Sequence, residues 1–191
     1  KQTSLFETEA EPHAGLPVSL DELLDAYQTC WQDDWYTDDR EREKYREQGT
    51  ATLRQLWAQY SSAPPSPLSV EQGFTMKIGD IALKGRIDRI DACDDGIEII
   101  DYKTGSPKTE LTVDDKEQLL LYQLAAVQVL GLKPKKLTYH YLTDNSRVSF
   151  LGTQKQLDEL EESMIDRVQA IKKSNFQATP GFHCQFCDFA D

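Results

Sequence analysis

Apolar and polar positions in the first third of the chain repeat with the period of an α-helix. The capping box Ser19-Leu20-Asp21-Glu22 predicts the start of a first helix, whose apolar stripe consists of Leu20, Leu23, Leu24, Tyr27 and Trp31. A turn is predicted over 35–39, and a second helix over about 39–60 has one apolar face, made of Tyr45, Leu53, Leu56, Trp57 and Tyr60. Three prolines within 61–67 end this helix, and the polar residues 1–17 are expected to form a loop or a linker remnant.

The middle of the chain changes to the pattern of β-strands. Strands over 68–78, 81–91 and 97–103 are separated by turn signals and predict an antiparallel meander. A helix rich in leucine and alanine follows over 116–130, then two strands over 136–142 and 147–151. Thr153 and Gln156 cap a last helix that extends to about residue 173. This order predicts an α/β fold with a mixed central sheet flanked by helices.

Composition and charge narrow the classes of protein that this pattern allows. The 191 residues are 39% hydrophobic and 28% charged, which is typical of one soluble globular domain. The 33 acidic and 21 basic residues give a net charge of −12, so the strongly basic surface of a protein that coats duplex DNA is absent. Nucleic acid remains possible as a substrate, because a metal-loaded cleft can attract phosphate inside an acidic protein.

The ends of the chain and its cysteines bear on its cellular context. No apolar run is long enough for a membrane span or forms a signal peptide. Four cysteines are fewer than a secreted disulfide framework would have, so a reducing, cytoplasmic location is expected. Because the chain starts at Lys1 and ends at Asp191 just after a cysteine pair, we expect it to be a piece of a larger protein.

Candidate chemistry lies at the end of the third predicted strand. Asp101 and Lys103 share a strand face, and Asp88 lies on the neighbouring strand of a short hairpin. Two carboxylates that meet at strand ends repel each other unless one is protonated or a cation lies between them. Oxygen ligands with room for water suit Mg²⁺ or Mn²⁺, and a nearby lysine can orient a water and stabilise developing charge. The alternative is a solvated Asp–Lys ion pair, worth at most about 1 kcal/mol.

Two motifs here resemble a known family. Gly-Arg-Ile-Asp-Arg-Ile-Asp at 85–91, followed by Ile-Ile-Asp-Tyr-Lys-Thr-Gly at 99–105, is similar to the PD-(D/E)xK nucleases, in particular the RecB-like exonucleases that are also fused to UvrD-like helicases. The resemblance implies a restriction-endonuclease-like PD-(D/E)xK core. It also implies that Asp88, Asp101 and the backbone carbonyl of Tyr102 bind the metal and that Lys103 is the catalytic lysine.

Other residues match the family at single positions. Glu71 corresponds to the acidic residue on the first core strand, which binds metal through water or holds the cleft; the alternative is an ordinary surface glutamate. Gln118 and Tyr122 match the Gln-x₃-Tyr helix motif of the RecB-like branch, where this helix face contacts the substrate backbone. Arg86 is expected to bind substrate as well.

The C-terminal cysteines suggest a second metal centre. Cys184 and Cys187 form a C-x₂-C pair, which is half of a metal site, half of a redox pair or two free thiols. The resemblance implies a [4Fe–4S] cluster whose third C-terminal cysteine would fall beyond Asp191, so the site is expected to be incomplete. A packed core thiol is the favoured interpretation of Cys30.

The histidine that completes the family's metal site is missing from its usual segment. That segment carries a Gly-x₃-His motif, which does not occur in this chain. His13 is expected to lie in a loop without a role, His140 to be structural, and His183 is only a weak ligand candidate.

The resemblance implies a specific function and organisation. We expect a Mg²⁺- or Mn²⁺-dependent DNA nuclease, an exonuclease on single-stranded DNA within a helicase–nuclease of DNA repair or recombination. The expected division is a linker over 1–17 and a nuclease domain over 18–191, which comprises a helical part (18–66), a catalytic core (67–151) and a C-terminal helix with the cysteines (152–191). The alternatives are a catalytically silent module that binds DNA or a helicase, and a thiol- or zinc-binding structural domain.

Overall fold

A five-stranded sheet forms the centre of the protein in the computed structural model, which describes residues 16–34, 36 and 38–187. In chain order the elements are α1 (Leu20–Cys30), α2 (Asp39–Ser62), β1 (Pro67–Ile78), β2 (Ile81–Cys93), β3 (Gly96–Lys103), α3 (Val113–Gln128), β4 (Pro134–Tyr141), β5 (Arg147–Phe150) and α4 (Gln154–Lys173). A short 3₁₀ helix spans Phe182–Phe186. None of the helices in these residues is long and apolar enough to cross a bilayer.

The strands lie in the sheet in chain order, β1-β2-β3-β4-β5. Strands β1, β2 and β3 pair antiparallel, β3 and β4 pair parallel, and β5 returns antiparallel to β4. The parallel pair is connected through α3, as a crossover between parallel strands requires. The predicted mixed sheet flanked by helices is therefore confirmed, including the antiparallel meander of its first three strands.

Most of the core lies between the sheet and the helices α3 and α4. Five apolar residues of α3 are buried because the helix packs between the sheet and α4: Leu119, Leu120, Leu124, Ala125 and Ala126. Helix α4 contributes Leu157 and Leu160. We call the side of the sheet that carries Asp101 and Lys103 the front face. Lys103 and Tyr139 contact α3 on this face. The opposite side, with Arg89 and Tyr102, is the back face, and Tyr60 of α2 contacts it.

Apart from shifts of one or two residues at the ends of elements, three details differ from the sequence-based expectations. Helix α3 starts at Val113 rather than 116, because Thr112 and Asp115 form a capping box. The 3₁₀ helix at Phe182–Phe186 was not predicted. Cys30 is exposed, so its prediction as a packed core thiol is wrong; it ends α1, a helix that has no buried residue and packs against α2.

Some expectations fall partly or wholly outside the described residues. These include most of the linker over 1–17, His13, and part of the turn predicted over 35–39. The division of the chain into a linker and a nuclease domain stays a prediction.

Candidate active site

Two charged side chains lie at the end of the central strand β3. Asp101 is only 2% exposed, and its Oδ2 atom lies 2.6 Å from Lys103 Nζ. This ammonium is the one partner that the buried Oδ2 has among the described residues, because no other donor reaches it. Burial raises the pKa of Asp101; Lys103 opposes that shift and Asp88 adds to it. A second cation beside this carboxylate would share that oxygen with Lys103 and favour the charged form of Asp101.

Asp88 stands opposite Asp101 at the point where their strands separate. The pairing of β2 with β3 ends at Arg89 and Ile100, and the next residues along the register are Asp88 and Asp101. Asp88 Oδ2 accepts a hydrogen bond of 2.9 Å from the backbone N–H of Tyr102. Because the pairing of β2 with β3 ends here, the N–H of Tyr102 is available to bind the Asp88 carboxylate next to Asp101.

Lys103 is held in place by a chain of polar contacts on α3. Its Nζ donates to Gln118 Oε1 at 2.7 Å, and Gln118 Nε2 donates to Tyr122 OH at 2.9 Å. Lys103 Nζ also lies 5.0 Å from the centre of the Tyr139 ring. Gln118 and Tyr122 share a helix face because they are four residues apart. The structure therefore brings this predicted pair to the catalytic-lysine candidate.

Glu71 and Arg86 form a pair at the rim of the same cleft. Glu71 lies on β1 at the register position that faces Asp88, and its Oε2 is 3.2 Å from Arg86 Nη1. Both side chains are well exposed, at 63% and 68%. Glu71 has a φ of 52°, a left-handed conformation that is uncommon for a residue other than glycine. Such outliers concentrate at functional sites.

The Tyr122 hydroxyl is subject to the charges of Glu71 at the rim and of the two aspartates. Burial raises the pKa of Tyr122, its bond with Gln118 opposes the shift, and the charges of Asp101, Asp88 and Glu71 add to it. Glu71, Asp88 and Asp101 also occupy neighbouring register positions on β1, β2 and β3, so their side chains lie on one face of the sheet. The structure thus brings together the residues that the sequence analysis assigned to catalysis, metal and substrate.

Comparison with known proteins identifies the family. The model of the PD-(D/E)XK nuclease superfamily matches residues 7–191. The chain belongs to the PD-(D/E)XK nuclease superfamily. A crystal structure of a candidate exonuclease from Eubacterium rectale is similar, with a TM-score of 0.50 and 15% identity over 91% of this chain and 74% of that one. The crystal structure of SSO0001 matches with a TM-score of 0.43 and 16% identity, over 88% of this chain and 90% of that one.

At these identities, the likeness to the Eubacterium rectale structure concerns the fold alone. No curated protein matches the sequence. The fold and family are shown, whereas the RecB-like subtype and the fusion to a helicase remain predictions.

PD-(D/E)XK nucleases generally use divalent metal ions, and the cleft has donors that fit one. Asp88, Asp101 and the carbonyl of Tyr102 carry oxygen atoms of the kind that Mg²⁺ and Mn²⁺ prefer as ligands. The described residues contain no group of three His, Cys, Asp or Glu side chains that could hold a metal ion. A two-carboxylate site suits Mg²⁺ nevertheless, because this ion keeps several of its waters.

The cysteine pair does not form a metal site with other described side chains. Cys184 and Cys187 are both exposed, and the backbone N–H of Gly181 donates to Cys184 Sγ at 3.3 Å. His183 is adjacent in sequence, but this region holds no three-ligand cluster within the described residues. The iron–sulfur cluster stays a prediction for a longer chain.

One buried polar cluster was missed by the sequence analysis. Arg89 and Asp91 are 6% and 7% exposed on β2, and both contact the back face rather than the cleft. His140 is also buried there, with Nε2 3.2 Å from Asn145 Oδ1, and its structural role stays a prediction. The signal was present in the sequence: an arginine and an aspartate two residues apart lie on the side of β2 whose other positions carry no charge.

Proposed function

We propose that this domain is a metal-dependent deoxyribonuclease that hydrolyses phosphodiester bonds in the cleft between β2, β3 and α3. The observation that carries the proposal is the buried carboxylate of Asp101, which pairs with Lys103 and stands opposite Asp88 where β2 and β3 separate. Without a function, this arrangement is a weak source of stability, because the cost of burying a carboxylate offsets much of what its lysine partner returns.

Each residue of the cleft has a distinct role in this proposal. Asp88 and Asp101, with the Tyr102 carbonyl, would hold a divalent ion, which would polarise the phosphate and lower the pKa of a bound water. Lys103 is the donor that orients this water and stabilises charge on the phosphate. Gln118 sets the position of the lysine, because it accepts a hydrogen bond from Nζ.

The rim of the cleft supplies further candidate contacts to the substrate. Arg86 would contact the strand backbone, and Glu71 holds its guanidinium at the entrance. Tyr122 would contact the strand on the α3 side, because Gln118 links its hydroxyl to Lys103.

We further propose exonuclease action on single-stranded DNA in a RecB-like helicase–nuclease. The contact of Gln118 with both Lys103 and Tyr122 supports the RecB-like assignment, since the matching motif belongs to that branch. The net charge of −12 favours delivery of the strand by a partner over capture by a basic surface. A [4Fe–4S] cluster on Cys184 and Cys187 belongs to the same proposal and would need cysteines from elsewhere in the intact protein.

Cleavage of labelled DNA tests the proposal. The chain, and a version extended at both ends, would be incubated with single- and double-stranded DNA labelled at the 5′ or 3′ end, with Mn²⁺, Mg²⁺ or a chelator. We expect metal-dependent cutting that Lys103→Ala and Asp101→Asn abolish. Lys135→Ala serves as the matched control, since Lys135 pairs with the exposed Asp95 away from the cleft.

The same experiment distinguishes the alternative. If both lengths of the chain bind DNA but neither cuts it with either metal, the domain is a silent binding module on a nuclease scaffold. Mononucleotide products would indicate an exonuclease, and the label that is released first would give the strand polarity.

A further inference from the structure

A buried ion pair lies behind the candidate metal centre, on the back face of the sheet. Arg89 Nε donates to Asp91 Oδ1 at 2.7 Å, and Nη2 donates to Asp91 Oδ2 at 2.5 Å, so the pair is bidentate. Only 7% of the Arg89 side chain and 10% of the Asp91 side chain are exposed. The alternation of β2 places this pair on the side opposite to Asp88, and none of the cleft chemistry uses it.

The remaining Nη1 group of Arg89 binds two tyrosines. It donates to Tyr60 OH and to Tyr102 OH, each at 2.7 Å, and the two hydroxyl oxygens are 3.1 Å apart. Tyr60 belongs to α2, whereas Tyr102 belongs to β3. The single guanidinium of Arg89 therefore forms hydrogen bonds to residues of α2, β2 and β3.

Tyr102 is the residue through which this contact reaches the cleft. Its backbone N–H holds Asp88 Oδ2 at 2.9 Å, and it lies between Asp101 and Lys103 in the chain. Its side chain points to the back face, where Arg89 and Tyr60 fix the ring hydroxyl. Rotation or displacement of this residue would shift the peptide group that bonds to Asp88 and also the carbonyl proposed as a metal ligand.

Stability alone is a weak reason for such a pair. Desolvation of two charges costs about as much as their attraction returns, and apolar replacements of a buried pair are often neutral or stabilising. We propose that Arg89 is a positioning residue of the metal centre: through the Tyr102 hydroxyl, it fixes the backbone that holds Asp88 and offers a carbonyl to the ion. This inference rests on the proposed metal-dependent nuclease and adds residues from the opposite side of the sheet to its site.

The decisive test replaces the two charges together. In the variant Arg89→Met/Asp91→Leu no charge is left unpaired, so we expect the metal-free protein to unfold within a few degrees of the unchanged chain. Calorimetric titration with Mn²⁺ should show a Kd about 10–100-fold higher, the usual effect of losing an outer support of a metal ligand. The kcat for DNA cleavage should fall, with the KM for DNA little changed.

A matched control comes from the same face. Thr138 is fully buried there, and its hydroxyl contacts Glu98 and Ser149 rather than Tyr102. Thr138→Val should therefore leave Mn²⁺ affinity unchanged, even where it lowers thermal stability. A folded double variant that binds Mn²⁺ with the affinity of the unchanged chain would overturn the inference.

A second variant decides the matter if the double variant does not fold. Tyr102→Phe removes only the hydroxyl that Arg89 binds, and it should weaken Mn²⁺ binding about tenfold, as expected for one hydrogen bond to a charged group. Unchanged Mn²⁺ affinity in this variant would refute the positioning role. Failure of the unchanged chain to bind Mn²⁺ at all would instead refute the proposed function, and the inference with it.

Discussion

Replacement of Lys103 by methionine is expected to separate metal binding from catalysis. The ammonium group lies 2.6 Å from Asp101 Oδ2, the oxygen that a divalent cation would also contact. Lysine and metal therefore compete for one carboxylate oxygen. We expect Lys103→Met to bind Mn²⁺ more tightly than the unchanged chain and yet to lose cleavage, because the donor to the water and the phosphate is gone.

The size of the effect follows from the exposure of the two partners. The Asp101 side chain is 3% exposed, whereas that of Lys103 is 35% exposed. Breaking a fully buried pair costs about 3–5 kcal/mol, and an exposed pair is worth at most about 1 kcal/mol. The Asp101–Lys103 pair lies between these cases, so we expect Lys103→Met to lower the free energy of unfolding of the metal-free protein by about 2 kcal/mol. If a bound metal ion restores these 2 kcal/mol in the variant, its affinity for Mn²⁺ exceeds that of the unchanged chain by roughly 30-fold.

Two measurements at pH 7.5 check this prediction. Urea unfolding without metal gives the lost stability, and calorimetric titration with Mn²⁺ gives the affinity. Lys108→Met is the matched control, because Lys108 pairs with the more exposed Asp115 beside the same cleft. The reasoning is refuted if Lys103→Met binds Mn²⁺ no more tightly than the unchanged chain, or if it still cuts DNA at the same rate.

Two further predictions concern stability. The Lys108 ammonium and the Thr112 contacts lower the pKa of Asp115 from 3.8 to about 2. The contribution of the charged Asp115 to folding stability is therefore complete above pH 4 and is lost as the pH falls towards 2. In this window, the stability of Asp115→Asn should fall less steeply with pH, as acid unfolding would measure. Gly85→Ala would place Cβ 2.4 Å from the Phe74 ring, so urea unfolding should show a loss of about 1–3 kcal/mol, whereas Gly73→Ala meets nothing within 4 Å and should not show it.

Local signals along the chain were sufficient to predict the sheet and most of its helices. The turns around Gly79 and Gly96 set the first three strands, because a tight turn leaves antiparallel pairing as the only short connection. The start of α3 was missed, since the Thr112–Asp115 box has aspartate where the usual signature has glutamate or glutamine. A single residue type thus shifted that boundary by three positions.

The sequence predicts those parts of the site whose residues lie on one strand or hairpin. It does not predict contacts that depend on how the helices pack on the sheet. Asp101 and Lys103 follow from alternation alone, and the hairpin register brings Asp88 opposite them. The exposure of Cys30 could not be deduced from its place near an apolar stripe, because the sequence does not show that α1 stays outside the core. The contact between Arg89 and the tyrosines depends on where α2 lies, which no local pattern specifies.

The register of β3 links these observations. Ile97, Ile99 and Ile100 are all buried, so hydrophobicity does not by itself decide which side of this strand faces α3. A slip by one residue would turn Asp101 to the back face and Tyr102 into the cleft. Polar contacts discriminate between the two arrangements, since only the observed one lets Tyr102 reach Arg89 while its N–H holds Asp88. The buried arginine thus favours the same register that places Asp101 beside Asp88 and Lys103.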